Sequence, residues 1–145
     1  MPDEPPYRNF NFAVEIDGVA SAAFAEVDVP DASIEIVEYR EGTDSTSGAR
    51  KLPGRVRYAN VVLRRGVSNN LDLYRWFDDV RGGNLVRRNV AIVLQDAERN
   101  AVWRWLVYRA WPVKYAGPTL NAKANEVVIE ELELACEGLE VEAAN

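Results

Sequence analysis

Apolar and polar residues alternate with a period of two along most of this chain, a pattern that restricts it to strands with one face on a core. In "FNFAVEIDG", Phe10, Phe12, Val14 and Ile16 oppose Asn11, Ala13 and Glu15, and Asp17-Gly18 is a hairpin turn signal. "AFAEVDVP" sets Ala25, Val27 and Val29 against Glu26 and Asp28, and "SIEIVEY" continues through Ile34 and Ile36. "RVRYANVVLRRG" reads as one further strand with arginines on both faces. "NLVRRNVAIVLQD" and "AVWRWLVYRA" flank the turn "DAERN"; the second is partly apolar on both faces, so both should be covered. In "EVVIEELELAC", Leu132, Leu134 and Cys136 oppose Glu131 and Glu133.

One stretch has a different period. In "SNNLDLYRWFDDVRGG", Leu73, Trp76, Phe77 and Val80 form a helical stripe. Ser68 or Asn69 is the expected cap, Asp72 suits the positive end, and Gly82-Gly83 ends the helix. The aromatic stripe is expected to lie on a sheet. The prediction is an antiparallel β-domain of about seven strands with one helix. It is a single domain over residues 1–145, with a flexible N-terminal segment over 1–8.

Between two of these strands lies "YREGTDSTSGARKLPG", residues 39–54, which reads as a long polar loop. Loops of that length are uncommon in compact domains and are functional or disordered. Ordering one costs about 1–2 kcal/mol of backbone entropy per residue, so it gains stability only against another surface.

The chain of 145 residues is 48% apolar, enough to bury roughly 70% of its unfolded surface and to exclude wholesale disorder. No stretch approaches the roughly 18 apolar residues of a membrane span, so no membrane anchoring is expected. The acidic, Pro-rich start lacks the basic flank and apolar centre of a signal peptide, which points to synthesis in the cytoplasm. Histidine is absent and Cys136 is the single cysteine. Intrachain disulfides, His/Cys zinc sites and Ser-His or Cys-His dyads are thereby excluded. Cys136 reads as a small buried hydrophobe. Glu130 and Glu131 are adjacent on a strand and point to opposite faces, a poor arrangement for an acid–base pair. No catalytic or metal-binding residue, no enzymatic activity and no cofactor is expected.

The charges are segregated. Residues 1–50 hold 11 acidic and 3 basic side chains, residues 55–109 hold 11 arginines and 5 acids, and residues 110–145 hold 7 glutamates and 2 lysines. One reading is a mixed solvated surface; the other is opposite patches that meet between copies. Arg64-Arg65 and Arg87-Arg88 place cations on both faces of their strands, either blunting a sheet edge or meeting a neighbour's acids. A rival function is nucleic-acid binding through Arg55, Arg57, Arg64, Arg65, Arg87 and Arg88 with Trp103 and Trp105. The acidic balance of the chain argues against it.

Several phrases taken together resemble the tail-tube proteins of contractile phage tails and phage-tail-like injection systems. They are "FNFAVEIDG", "VEYREGTDSTSGARKLPGRVRYANVVLRRGVSNNLDLYRWFDDVRGG", "RRNVAIVLQDAERNAVWRW" and "AWPVKYAGPTLNAKANEVVIEELELACEGLE", in that order across residues 8–140. The resemblance implies two packed antiparallel sheets in a barrel-like sandwich with one flanking helix and a long extended loop. This is similar to the hemolysin-coregulated tube protein of type VI secretion. It also implies hexameric rings stacked into a hollow tube, with a sheath around it, baseplate and tube-terminating proteins at its ends, and an effector or DNA in the lumen. The tube would belong to a phage tail or injection particle that is assembled in the cytoplasm and released. The 39–54 segment would be an assembly arm, with Arg40, Glu41 and Gly42 matching the family's "REG" phrase and Arg50, Lys51, Leu52, Pro53 and Gly54 its "RKLPG" phrase. Candidate lumen or interface charges are Glu26, Asp28, Glu35, Arg64, Arg65, Arg87, Arg88, Glu131 and Glu133.

Overall fold

The computed structural model describes residues 10–17, 24–40, 48–123 and 126–143. The expected flexible segment 1–8 and the middle of the expected loop, 41–47, lie outside the described residues. In chain order the elements are β1 (Asn11–Ile16), β2 (Glu26–Asp28), β3 (Ala32–Tyr39), β4 (Arg50–Tyr58), β5 (Val61–Gly66), α1 (Asp72–Arg81), β6 (Arg88–Gln95), β7 (Ala101–Ala116), β8 (Ile129–Ala135) and β9 (Gly138–Ala143).

Every pairing is antiparallel. Seven strands join in the order β1-β6-β7-β8-β5-β2, with β9 also on β7, while β3 and β4 form a separate two-stranded sheet. The fold class is therefore as expected, mainly β with one helix, but the described strands do not close into a barrel. Two local expectations fail. The Asp17-Gly18 signal does not make a hairpin of β1 with β2, because β1 pairs β6 and β2 pairs β5. "RVRYANVVLRRG" is two strands, broken after Tyr58 so that β4 stays with β3 and β5 joins β8. A ninth strand, β9, extends past the last one expected from the sequence.

Strand β7 organises the body. Its first part pairs β6 and β9, and its last part pairs β8. Between them the register slips, so that Tyr108 and Arg109 oppose the single residue Asn89. Arg109 there adopts φ 53°, the left-handed region uncommon for a residue with a Cβ. The Arg109 N–H, lost to the ladder, donates to Asn89 Oδ1 at 3.0 Å, and Glu137 N–H donates to the Tyr108 carbonyl at 2.9 Å. Such a bulge bends a strand and lets it pass from one layer to another.

Both halves share one core, including Val14, Ile16, Val90, Ile92 and Val107 from one side and Val61, Leu63, Leu132 and Leu134 from the other. Helix α1 adds Leu73 and Trp76, and the Trp76 indole N–H donates to the Val86 carbonyl at 2.8 Å. Neither Ser68 nor Asn69 caps α1; Asn70 Oδ1 accepts from the Asp72 N–H at 2.9 Å instead. The stop is as expected. Gly83 sits at φ 102° while Gly83 and Asn84 N–H groups return to the Val80 and Asp79 carbonyls, the glycine-terminated helix end.

Candidate assembly surfaces

The two ends of the segment expected as a loop, Tyr39 and Arg50–Gly54, belong to a β-hairpin. Tyr39 pairs Arg50, Glu38 pairs Lys51, Val37 pairs Leu52 and Ile36 pairs Pro53. Of the arm residues, Arg50, Lys51, Leu52, Pro53 and Gly54 thus lie in β4, Arg40 follows β3, and Glu41 and Gly42 lie outside the described residues. Arg50–Gly54 extend β4 ahead of the strand expected from Arg55, on a strand pair that is solvated on both faces. Glu35 faces Gly54 and Arg55 across a bulge. A Cβ on Gly54 would stand 2.9 Å from Val37 Cγ2 and 3.2 Å from the Glu35 carbonyl oxygen, so any larger residue at the bulge would have to push Val37 or the β3 backbone aside.

Cross-strand partners share a face, which puts Ile34, Val56, Ile36 and Pro53 on one side and Val37 and Leu52 on the other. Ile34 and Ile36 are 59% and 65% exposed, and Val37, Leu52 and Val56 about half exposed. Glu35 is held by Arg57, whose Nε lies 2.5 Å from Oε1.

A second surface is the outer face of β2, β5 and β8. Arg64 stands between Glu26 on one neighbour and Glu131 on the other. Its Nε reaches Glu131 at 2.9 Å and its Nη1 reaches Asp28 at 3.2 Å and Glu26 at 3.5 Å. Burial alone would lower the Arg64 pKa, but Asp28, Glu26 and Glu131 outweigh it and hold the guanidinium above its usual value. Glu133 accepts from Asn60 Nδ2 at 3.0 Å on the same face. Four carboxylates share this face with Arg64 and Lys114, so it is acidic.

One residue along, the polarity turns inward. Arg65 is 3% exposed, and its Nε donates to buried Glu130 at 2.8 Å. Glu130 Oε2 accepts from the Tyr115 hydroxyl at 2.8 Å, and Arg65 Nη2 donates to the Asn70 carbonyl at 2.9 Å. Desolvation first, then the hydrogen bond to Glu130, pushes the Tyr115 phenol up to about 12. The paired Arg64-Arg65 and Glu131-Glu130 fix the β5–β8 register, since a one-residue slip would carry each partner to the wrong face. The edge-blunting expectation is thus overturned: β5 lies between β8 and β2, and Arg88 on β6 lies between β1 and β7.

Arg87 and Arg88 lie at the bend of β7, near Arg109 and Glu137. The residues of the nucleic-acid reading do not converge. Arg55 and Arg57 are on the hairpin, Arg64 is among carboxylates, Arg65 is buried and Trp105 packs on the core. Tyr115, Asn89, Arg109 and Glu137 were not singled out from the sequence. Only Tyr115 had a signal, an aromatic in a strand-like run.

Cys136 packs against the core with Sγ 3.6 Å from the Ala59 carbonyl, and burial pushes its thiol up, away from the reactive thiolate. Among the described residues no group of three or more His, Cys, Asp or Glu is placed to hold a metal.

Exposed apolar strands, a charged sheet face and a bent shared strand define a structural β-domain that acts through contact surfaces. The sequence model of the family described as T4-like virus tail tube protein gp19 matches residues 8–140. The chain belongs to that family and is a tail tube protein of the contractile-tail type. No curated protein is similar enough in sequence to match it.

Among solved structures it is similar to a chain of the sheath–tube complex of an extracellular contractile injection system, PVC, in the extended state. There the TM-score is 0.87 at 24% identity, covering 97% of this chain and 94% of that one. It is similar to a chain of the six-fold symmetrised anti-feeding prophage baseplate, with TM-score 0.79, 25% identity and coverage of 99% and 98%. Hcp1 from Flavobacterium johnsoniae shares the fold at TM-score 0.59 and 11% identity, with coverage of 92% and 95%.

Proposed function

We propose that six copies of this chain close into a ring, that rings stack into a rigid hollow tube, and that the β3–β4 hairpin is the arm that joins neighbouring copies. The observation that carries this reading is the hairpin itself, which leaves Ile34, Ile36, Val37, Leu52 and Val56 exposed to solvent on the isolated chain. Exposed apolar surface on both faces of one ribbon, Ile34, Ile36 and Val56 on one side and Val37 and Leu52 on the other, marks an interaction site.

The topology supports a head-to-tail contact. The hairpin springs from the end of the body where Ala59 N–H meets the Asp31 carbonyl, just before β5 begins. At the far end of β5, the exposed Val67, Leu120, Val127 and Val128 lie around the start of β8. Unlike surfaces at opposite ends repeat without limit and build open assemblies.

The acidic face of Glu26, Asp28, Glu131 and Glu133 is assigned to the lumen, where it would repel nucleic acid or acidic cargo and keep it sliding. Glu35 sits apart, on the arm. The sheath around the tube, a baseplate and a terminator at its ends, a cargo within, and a particle assembled in the cytoplasm and acting outside the cell complete the reading. It is supported by the similarity to chains of the PVC sheath–tube complex and the anti-feeding prophage baseplate.

Electron microscopy with native mass measurement tests it. Six-fold rings or tubes are expected, and the Ile34→Ser, Ile36→Ser double variant should keep its fold while losing stacking. A wild-type chain that stays monomeric at high concentration, and does not add to preformed tail baseplates, overturns the proposal.

A further inference from the structure

The bend in β7 gathers more cations than it neutralises. Arg87, Arg88 and Arg109 line a pocket of about 390 Å³ with Asp17 and Asn89. Glu137 is already shared: its Oε2 lies 2.5 Å from Arg109 Nε, and its Oε1 is 3.5 Å from Arg87 Nε. Arg88 is fixed in place, its Nη1 donating to the Asp17 carbonyl at 2.7 Å and its guanidinium lying over Trp76, 5.5 Å from the ring centre. Its Nε is buried and has no partner. The backbone strain of Arg109 lies at the same spot, and strain of this kind persists where function uses it.

We propose that this pocket is a carboxylate-binding site, and that its occupant is an Asp or Glu side chain of a second copy of this chain. A guanidinium cluster matches a planar carboxylate through paired N–H donors. The chain supplies the ligand in excess: it carries a net charge of −6, with its acids concentrated in the first and last thirds and its arginines between them. Asp17 and Glu137 weaken the pocket's hold on a free anion. A carboxylate delivered by an extended interface binds at high effective concentration and overcomes that handicap. The site rests on the ring reading above and adds to it a polar clamp distinct from the apolar arm.

Two substitutions separate this clamp from a purely internal ion pair, read by the protein concentration at half assembly with circular dichroism as the fold control. Arg87→Gln removes a pocket cation and should raise that concentration by roughly tenfold, the loss of one charge-assisted contact. Glu137→Gln removes the internal competitor and should lower it. If the arginines serve only to bind Glu137, both variants weaken assembly alike, and the clamp is wrong. Rings that form equally well from Arg87→Gln also sink it while leaving the tube intact, whereas a wild-type chain that never forms rings removes both. Phosphate that raises the wild-type unfolding temperature but not that of Arg87→Gln, with assembly unchanged, reassigns the pocket to a free anion.

Discussion

The body and the hairpin are made from the same kind of strand, yet they treat their large side chains in opposite ways. In the body, Val61, Leu63, Val107 and Leu134 are wholly covered. In the hairpin, Ile34 and Ile36 keep more than half their surface in water. A two-stranded ribbon has no third element to bury against and is marginal on its own. The body therefore buries most of the apolar surface that stabilises the fold, and the hairpin leaves its own exposed, as the proposed arm requires.

The largest effects should come from breaking the body. Glu130→Ala strands Arg65 in the core and should cost about 3–5 kcal/mol, measured by urea unfolding. Leu132→Ala opens a cavity where β5 and β8 meet and should cost about 2–5 kcal/mol by the same measurement. The Tyr115 phenol is favoured in its neutral form by the fold. Its contribution is complete below the unfolded value of about 10 and drains away as pH climbs towards about 12. Unfolding free energies across that window should fall for the wild type and fall less for Tyr115→Phe. Glu131→Ala, on the open face of the same strand pair, should cost no more than about 1 kcal/mol.

The smallest effect on stability sharpens the contrast. Ile36→Ser with Leu52→Ser should leave unfolding within about 0.5 kcal/mol of wild type, because Ile36 keeps 65% and Leu52 49% of its surface exposed among the described residues. The same pair should abolish stacking as seen by electron microscopy. A loss of several kcal/mol instead would mean that the hairpin belongs to the folding unit.

The body was legible in the sequence because its alternation reports burial on one side. Phe12, Val14 and Ile16 mark β1, Leu132 and Leu134 mark β8, and the Leu73–Trp76–Phe77–Val80 stripe marks the helix. Parity even assigns Arg65 and Glu130 to the core, since they continue the rows of Leu63 and Leu132. Pairing order was less accessible. Asp17-Gly18 carries a hairpin signal, but partner choice was set by long-range burial against β6 and β5. The alternation of β3 through Ile34 and Ile36 was legible, but Arg50–Gly54 at the start of β4 reads as loop because Arg50, Lys51, Pro53 and Gly54 leave no apolar row to alternate. The cluster at the bend was invisible, because Asn89, Arg109 and Glu137 meet only through a register slip that no local pattern announces.

That slip has a mechanical consequence. A single continuous strand of 16 residues runs through both halves of the body, hydrogen-bonded to β6 and β9 on one stretch and to β8 on the next. Pulling the two halves apart along β7 loads many backbone hydrogen bonds at once in shear, rather than peeling them one by one. In the proposed tube, β7 is the spar that would carry axial load from one half of each subunit to the other.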